Sequence, residues 1–247
     1  MRLVRTILPA LALMALIGFS ASAAPITFIH TGTGGTGFLY SLPFTGAPDE
    51  YVAEFYGISF SITATGDTST KAFCIDDPTH CNFIDHISAS IWISDVRKYD
   101  DPFDPTSPFV DLGPASFHFD TPTRTFRNNA ADVIGFARAD VNGIDLYDGP
   151  PLGQDWDMTN SIGPVLGVTD LIDWATLPVL VTKLAGSDQL PTGSIGLFFN
   201  PDTITGSFQA IVEQIPPPPV PEPGSLVLLS IGLAGLFSVR RKKGSSD

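Results

Sequence analysis

Two apolar segments at the ends of the chain leave only its middle to fold as a globular domain. Residues 7–17 and 226–239 contain no charged side chain, and basic residues lie beside each of them. Between them, residues 24–221 hold 24 acidic and seven basic residues, a net charge of −17. Because such an acidic surface repels a phosphate backbone, the charge argues against nucleic acid as a partner.

The N-terminal segment has the three parts of a secretory signal peptide. Two arginines precede the apolar run at residues 7–17, and the small residues Ala21 and Ala23 follow it. This run is too short to cross a hydrocarbon core of ~30 Å as a helix, so a cleaved signal is favoured over an anchor. We therefore expect residues 1–23 to be removed, which leaves Ala24 at the new N-terminus.

The C-terminal segment predicts a short membrane helix behind a rigid stem. Six of the nine residues in 215–223 are prolines, which hold the backbone extended and remove hydrogen-bond donors. Residues 224–239 follow as a charge-free helix of about 24 Å, and a basic tail at residues 240–247 places this end in the cytoplasm. The residues expected to stop transfer through the membrane are Arg240, Arg241, Lys242 and Lys243.

This tail resembles the PEP-CTERM sorting signal of exported bacterial proteins. Pro221, Glu222 and Pro223 match its core, and the apolar helix and basic cluster follow in the same order. The resemblance implies processing by an exosortase, a membrane-embedded cysteine transpeptidase, with Glu222 as the recognised charge. It also implies anchoring in the inner membrane facing the periplasm, followed by display at the cell surface or in the extracellular matrix. The same tail is also labelled an ice-binding-protein C-terminal domain, a name that need not describe function.

The middle of the chain has the pattern of short strands. Residues 55–63 alternate apolar with small or polar side chains, the period of a half-buried strand, and clusters of Gly, Pro, Asp and Asn separate such runs. We expect residues 24–214 to form one all-β domain, a β-sandwich or jelly roll with two sheets packed across a phenylalanine-rich core. The predicted strands are Ile26–His30, Tyr51–Thr65, Ile87–Ser94, Ser116–Phe119, Val133–Arg138, Val165–Thr169, Val179–Lys183, Ile195–Asn200 and Gly206–Glu213.

The two cysteines predict a disulfide. Cys74 and Cys81 flank a polar turn, and an exported protein meets an oxidising compartment. The alternative is a zinc site that adds His80 or His86, but neither spacing matches a common zinc finger. We therefore expect a Cys74–Cys81 bond and no metal ligand.

We expect no cofactor, and the many aspartates make a calcium site the alternative. Carboxylate oxygens suit Ca²⁺, yet no EF-hand or repeated calcium motif is present, so solvated acidic loops are favoured. The densest cluster consists of Asp95, Asp100, Asp101, Asp104 and Asp111.

The sequence offers little for catalysis. It contains no Gly-x-Ser-x-Gly, His-Glu-x-x-His or phosphate-loop motif. Asp155 and Asp157 on either side of Trp156 would suit a glycosidase, but the same pattern is typical of a turn beside a core residue. We expect no catalytic residue and no enzymatic activity.

Repeated threonine pairs raise an ice-binding interpretation. The pairs do not recur at a fixed period, so we interpret them as solvent-facing strand positions and not as a flat ladder. They are Thr31/Thr33, Thr63/Thr65, Thr68/Thr70 and Thr203/Thr205.

The predicted role is structural or adhesive within extracellular polysaccharide. One alternative is a carbohydrate-binding module in which Trp92, Trp156 or Trp174 stacks on sugar rings. Another is an exported hydrolase.

The disulfide predicts the thiol content of the exported protein. Because both cysteines are consumed by the bond, thiol titration in denaturant should find no free thiol before reduction and two after it. Two free thiols in untreated exported protein would remove the disulfide.

The favoured interpretation of the acidic cluster predicts insensitivity to calcium. Solvated carboxylates hold no ion that a chelator can remove, so heating curves recorded in calcium and in chelator should superimpose. A higher melting temperature in calcium would instead establish a calcium site.

Overall fold

Twelve antiparallel β-strands form nearly all the regular structure of the described part of the chain. A computed structural model describes residues 23–214, apart from residues 46, 48–49, 101–105, 142, 173–177 and 201. The strands are β1 (Pro25–Tyr40), β2 (Tyr51–Asp67), β3 (Ala72–Phe73), β4 (Cys81–Tyr99), β5 (Phe109–Phe119), β6 (Thr123–Asn128), β7 (Val133–Arg138), β8 (Tyr147–Asp148), β9 (Ile162–Leu171), β10 (Val179–Ala185), β11 (Ser194–Phe199) and β12 (Asp202–Val212).

Two long strands, β1 and β4, organise the sheet by changing partners along their length. One edge of β1 pairs with β12 through residues 26–33 and with β11 through residues 37–40, while its other edge pairs with β2. In the same way, one edge of β4 pairs with β6 at its start and with β5 further on. The strand pairings therefore close into two circuits that share β1, β2 and β4.

Glycine makes the change of partner in β1 possible. A side chain at Gly37 would collide with the carbonyl oxygen of Phe198 in β11 and with the Phe55 ring in β2. The register of β1 against β2 also shifts on both sides of Gly35, which indicates bulges that bend the strand. β1 leaves β12 and joins β11 across this short irregular stretch.

The predicted all-β, sandwich-like domain is confirmed. All nine predicted strands are present, and Val133–Arg138 has the predicted bounds. The sequence predicted two packed sheets, whereas the structure has one continuous sheet. The sheet is continuous because β1 and β4 pass from one set of partner strands to another. Sequence reasoning missed β3, β6 and β8, of which β3 and β8 have two residues each and show no measurable periodicity.

The predicted segments at the two ends lie outside this description. They are residues 1–22 of the signal peptide, the stem at 215–223, the helix at 224–239 and the basic tail at 240–247. In the portion that is described, no helix is long and apolar enough to cross a membrane.

A single aromatic and aliphatic core fills the interior of the sheet. Side chains alternate between buried and exposed along β1 and β2, and the buried set includes Phe28, Phe60, Phe117, Phe136 and Phe208. Each fully buried side chain of this size contributes about 1.5–3 kcal/mol. The rings meet at edges and tilts, as aromatic quadrupoles favour.

One histidine lies inside this core and a second packs at its margin. His30 is 0% exposed among the rings of Phe136, Tyr147 and Phe208, and its ring nitrogens have no hydrogen-bond partner within the described residues. His86 stacks on Phe136, and its ring nitrogens contact two threonine hydroxyls at 2.9 Å. Burial lowers the pKa of each histidine to about 3.

The two histidines predict a loss of stability in acid. Below pH 6.5 the unfolded chain protonates both rings, whereas the folded chain excludes these protons down to about pH 3. The free energy of unfolding therefore falls as pH falls, by about 1.4 kcal/mol per pH unit for each proton. Asp148 partly opposes this, since burial and Asp170 raise its pKa to about 6. Urea unfolding should show a net slope of about one proton between pH 6 and 4.5.

Replacing one histidine isolates its contribution. His30→Leu removes one of the two proton uptakes, so the stability of this variant should be nearly flat across the same pH range. Ile26→Val shortens a buried side chain of the same strand that does not titrate, so it should lower the stability without changing the slope. An unaltered slope in His30→Leu would show that His30 does not carry the effect.

Candidate functional site

The cysteine loop is a closed turn. Cys74 and Cys81 are joined by a disulfide with Cα atoms 5.3 Å apart, and the Cys81 N–H donates to the Asp77 carbonyl at 3.0 Å. His80 Nδ1 lies 3.0 Å from the Asp77 carboxylate in the exposed turn, whereas His86 is half-buried and stacks on Phe136. The zinc alternative therefore lacks a common ligand set, and no group of three or more metal-ligating side chains occurs among the residues described.

The acidic cluster is only partly described. Burial, then hydrogen bonding and repulsion from Asp111, raise the pKa of Asp95, so these two carboxyl groups lie close together. Asp111 also accepts a hydrogen bond from the Gly113 N–H at 2.7 Å, where the register of β5 against β4 shifts at a bulge. Asp101 and Asp104 lie outside the described residues.

Trp156 is a core residue and not an exposed platform. Its side chain is 3% exposed, its ring packs against Phe28 and Phe208, and its indole N–H donates to the Asn160 carbonyl at 2.9 Å. The neighbouring Asp157 accepts hydrogen bonds from the backbone and hydroxyl of Thr159. This is the turn beside a core residue that the sequence favoured, and it corrects the suggestion that Trp156 stacks on sugar.

A buried arginine fixes the loop that carries Trp156. Arg127 is fully buried and donates to the side chains of Asn129 and Asp132 at 2.8 and 2.9 Å and to the Gln154 carbonyl at 2.8 Å. Burial raises the pKa of Asp132, but hydrogen bonds from Gly153 and Arg127 outweigh it and the net shift is downward. No motif marked this cluster in the sequence, since its members meet only in the folded chain.

Threonines of three strands come together on one outer face of the sheet, whereas Thr203 lies beyond them, opposite Asp170 of β9. Thr33 of β1 lies directly opposite Thr205 of β12 and Ser59 of β2, and Thr27 lies opposite Thr65. We name this surface the hydroxyl face. Its members, which alternate with buried residues, are Thr27, Thr31, Thr33, Ser59, Ser61, Thr63, Thr65, Ser88, Ser90, Ser94, Thr205 and Ser207.

The threonines of β1, β2 and β12 are solvent-facing strand positions, as predicted, and pairing between the strands also aligns them in rows. Cross-strand pairing builds the ladder that the linear sequence does not show, since the residues in each row are far apart in the chain. Thr31 Oγ1 lies 2.7 Å from Ser207 Oγ, and Thr65 Oγ1 lies 2.8 Å from Ser88 Oγ. Thr68 and Thr70 lie instead in a short 3-10 turn after β2.

Trp92 belongs to the hydroxyl face. It lies opposite Ser61 of β2 and Ser116 of β5, and its side chain is 43% exposed. At the far side of the same row, Ser207 lies opposite Leu166 of β9, which is 78% exposed. The row therefore runs from an exposed indole through hydroxyl groups to an exposed aliphatic side chain.

A shallow depression of about 280 Å³ lies in the hydroxyl face. Gly32 and Gly206 are paired at its floor, where a side chain on Gly206 would collide with the Thr31 carbonyl and the Tyr147 hydroxyl. The rim includes Thr33 and Leu166. Trp174, the third tryptophan considered for sugar stacking, lies outside the described residues.

Comparison with known proteins concerns the tail. The family model described as the PEP-CTERM protein-sorting motif matches residues 219–242, which span Pro221, Glu222 and Pro223 and the first three bases of the stop-transfer cluster. No curated protein and no solved structure matches the chain. The matched motif implies export and processing at the membrane by an exosortase. The chain is therefore identified by its tail as a protein that carries the PEP-CTERM sorting motif.

Proposed function

We propose that the domain of residues 24–214 is a structural or adhesive component of the extracellular polysaccharide matrix. The observation that carries the proposal is the sorting motif at residues 219–242, because it implies export and processing by an exosortase. The domain itself acts without catalysis and without a resident cofactor.

The tail acts as a processing substrate. Prolines in residues 215–223 keep the backbone extended and poor in internal hydrogen bonds, so that an enzyme at the outer membrane boundary can bind it. In this proposal, the helix predicted at residues 224–239 holds that stretch at the boundary, and the four bases behind it halt transfer. Glu222 supplies a single negative charge between two prolines as the recognition element.

Two features of the domain suit an extracellular protein. Strand pairings that close into two circuits leave few unpaired edges, which reduces edge-to-edge aggregation at high local concentration. The Cys74–Cys81 bond adds a covalent constraint that an oxidising environment maintains. Both features suit a protein that persists in a matrix without repair by cytoplasmic chaperones.

Substitution of the recognised charge tests the proposal. In a producing strain, the full chain should appear as a shortened species in the matrix, whereas Glu222→Ala should accumulate uncut in the membrane fraction. Deletion of residues 226–243 should remove the pause at the membrane and also change the location of the protein. Immunoblots of membrane, surface and matrix fractions measure both results.

Glu213→Ala is the matched control. Glu213 is an exposed acid just before the stem and outside the matched motif, so its replacement should leave processing and location unchanged. Identical processing and location in wild type, Glu222→Ala and the deletion variant would defeat the sorting mechanism. A wild-type protein that is processed but absent from the matrix would defeat the matrix role.

A further inference from the structure

The hydroxyl face carries no charge in a domain that is otherwise strongly acidic. Its residues form four rows across β4, β2, β1, β12 and β9. In these five strands the outward residues of the rows are the twelve hydroxyl residues together with Ile29, Trp92, Leu166, Val168, Gln209 and Ile211, and none of them is Asp, Glu, Lys or Arg. In β5 two of the rows continue with Ser116 and His118. In a segment with 24 acidic residues, this neutral surface is a distinct chemical environment.

The geometry of the sheet sets the distances between the side chains of the hydroxyl face. Neighbouring strands are about 4.8 Å apart, and successive outward residues of one strand are about 6.7 Å apart. β1 and β2 are hydrogen-bonded on both edges over this region, so the groups are held on a stiff support. Serine and threonine also lose little side-chain entropy when they are ordered.

The side chains of the face match the chemistry of a sugar. A hydroxyl group both donates and accepts hydrogen bonds, as the hydroxyl groups of a pyranose do. The exposed indole of Trp92 offers a flat apolar surface for the C–H face of a ring, and Leu166 offers a second apolar contact across the row. Uronic acids or sulfated sugars would meet the repulsion of the acidic domain, so a neutral sugar is favoured.

A protein partner fits this surface less well. Protein–protein interfaces are depleted in serine at their cores, whereas serine contributes six of the twelve hydroxyl residues of this face. Interfaces also use arginine as an anchor, and the four rows contain none.

We infer that the hydroxyl face binds a neutral polysaccharide, with Trp92 stacked on a sugar ring and the Ser/Thr rows bonded to its hydroxyl groups. The inference rests on the proposed function, since it names the surface through which the domain would adhere to the matrix. The depression above Gly32 and Gly206 accommodates a group that projects from the bound chain.

Affinity electrophoresis tests the inference with the full chain in non-ionic detergent. The gels contain dextran, hydroxyethyl cellulose or the neutral polysaccharide fraction of the producing strain, with alginate as the acidic comparison. At least one neutral polymer should retard the wild-type protein, and alginate should not. Trp92→Ala should weaken the retarding interaction about tenfold, and Trp92→Tyr should retain most of it.

A second variant tests the hydroxyl groups without removing volume. The double variant Thr33→Val/Thr205→Val keeps the shape of the row and should weaken retardation several-fold. The matched control is Phe73→Ala, which removes an aromatic side chain of similar exposure from β3, outside the hydroxyl face, and should leave retardation unchanged. Equal melting temperatures establish that each variant is folded.

The outcomes separate this inference from the proposed function. If Trp92→Ala is processed normally but washes out of the matrix, the result supports both the inference and the proposed function. If wild type occupies the matrix while neutral polymers fail to retard it, or Trp92→Ala is retarded equally, the face is not the sugar site and only the inference falls. Dimerisation lost in Trp92→Ala would assign the face to a second copy. If the wild type inhibits ice recrystallisation and the threonine variant does not, the hydroxyl face would be assigned to ice. Dimerisation or ice binding through this face, without binding of a polymer, overturns the inference.

Discussion

The close approach of three strands at Gly37 is the constraint on which the rest of the domain depends. Because no side chain projects there, β1 can pass beside Phe198 and Phe55 and exchange β12 for β11. This exchange joins the two circuits of strand pairing and lets one sheet enclose one core. A strand of this length with a single set of partners would instead form an open sheet with exposed edges.

The same closure determines what lies inside and outside. Alternation along β1 directs Phe28 and His30 into the core and Thr31 and Thr33 to solvent, and the register with β2 and β12 carries that division across the sheet. The core accepts polar groups at a cost: His30 remains neutral without a partner, and Arg127 is held by three hydrogen bonds. The solvent side is uncharged around Trp92, although the domain is acidic.

Sequence patterns predicted the strands well where alternation was long and poorly where it was short. Residues 55–63 alternate over enough positions to show the period of a strand, whereas β8 has two residues and acquires its strand geometry from β7 and β9. Trp156 shows a second source of error. It is one of three tryptophans considered for sugar stacking, yet the loop fixed by Arg127 turns its ring inward.

The amino-acid sequence by itself determined the sorting motif, the all-β class and the pairing of the two cysteines, because each depends on residues that are close together in the chain. Only the tertiary structure decided which threonines share a surface. Thr33 and Thr205 are separated by most of the domain in sequence and become neighbours through the register of β1 against β12. A register is a property of two strands and of the core that both must cover, so no linear period in either strand encodes it.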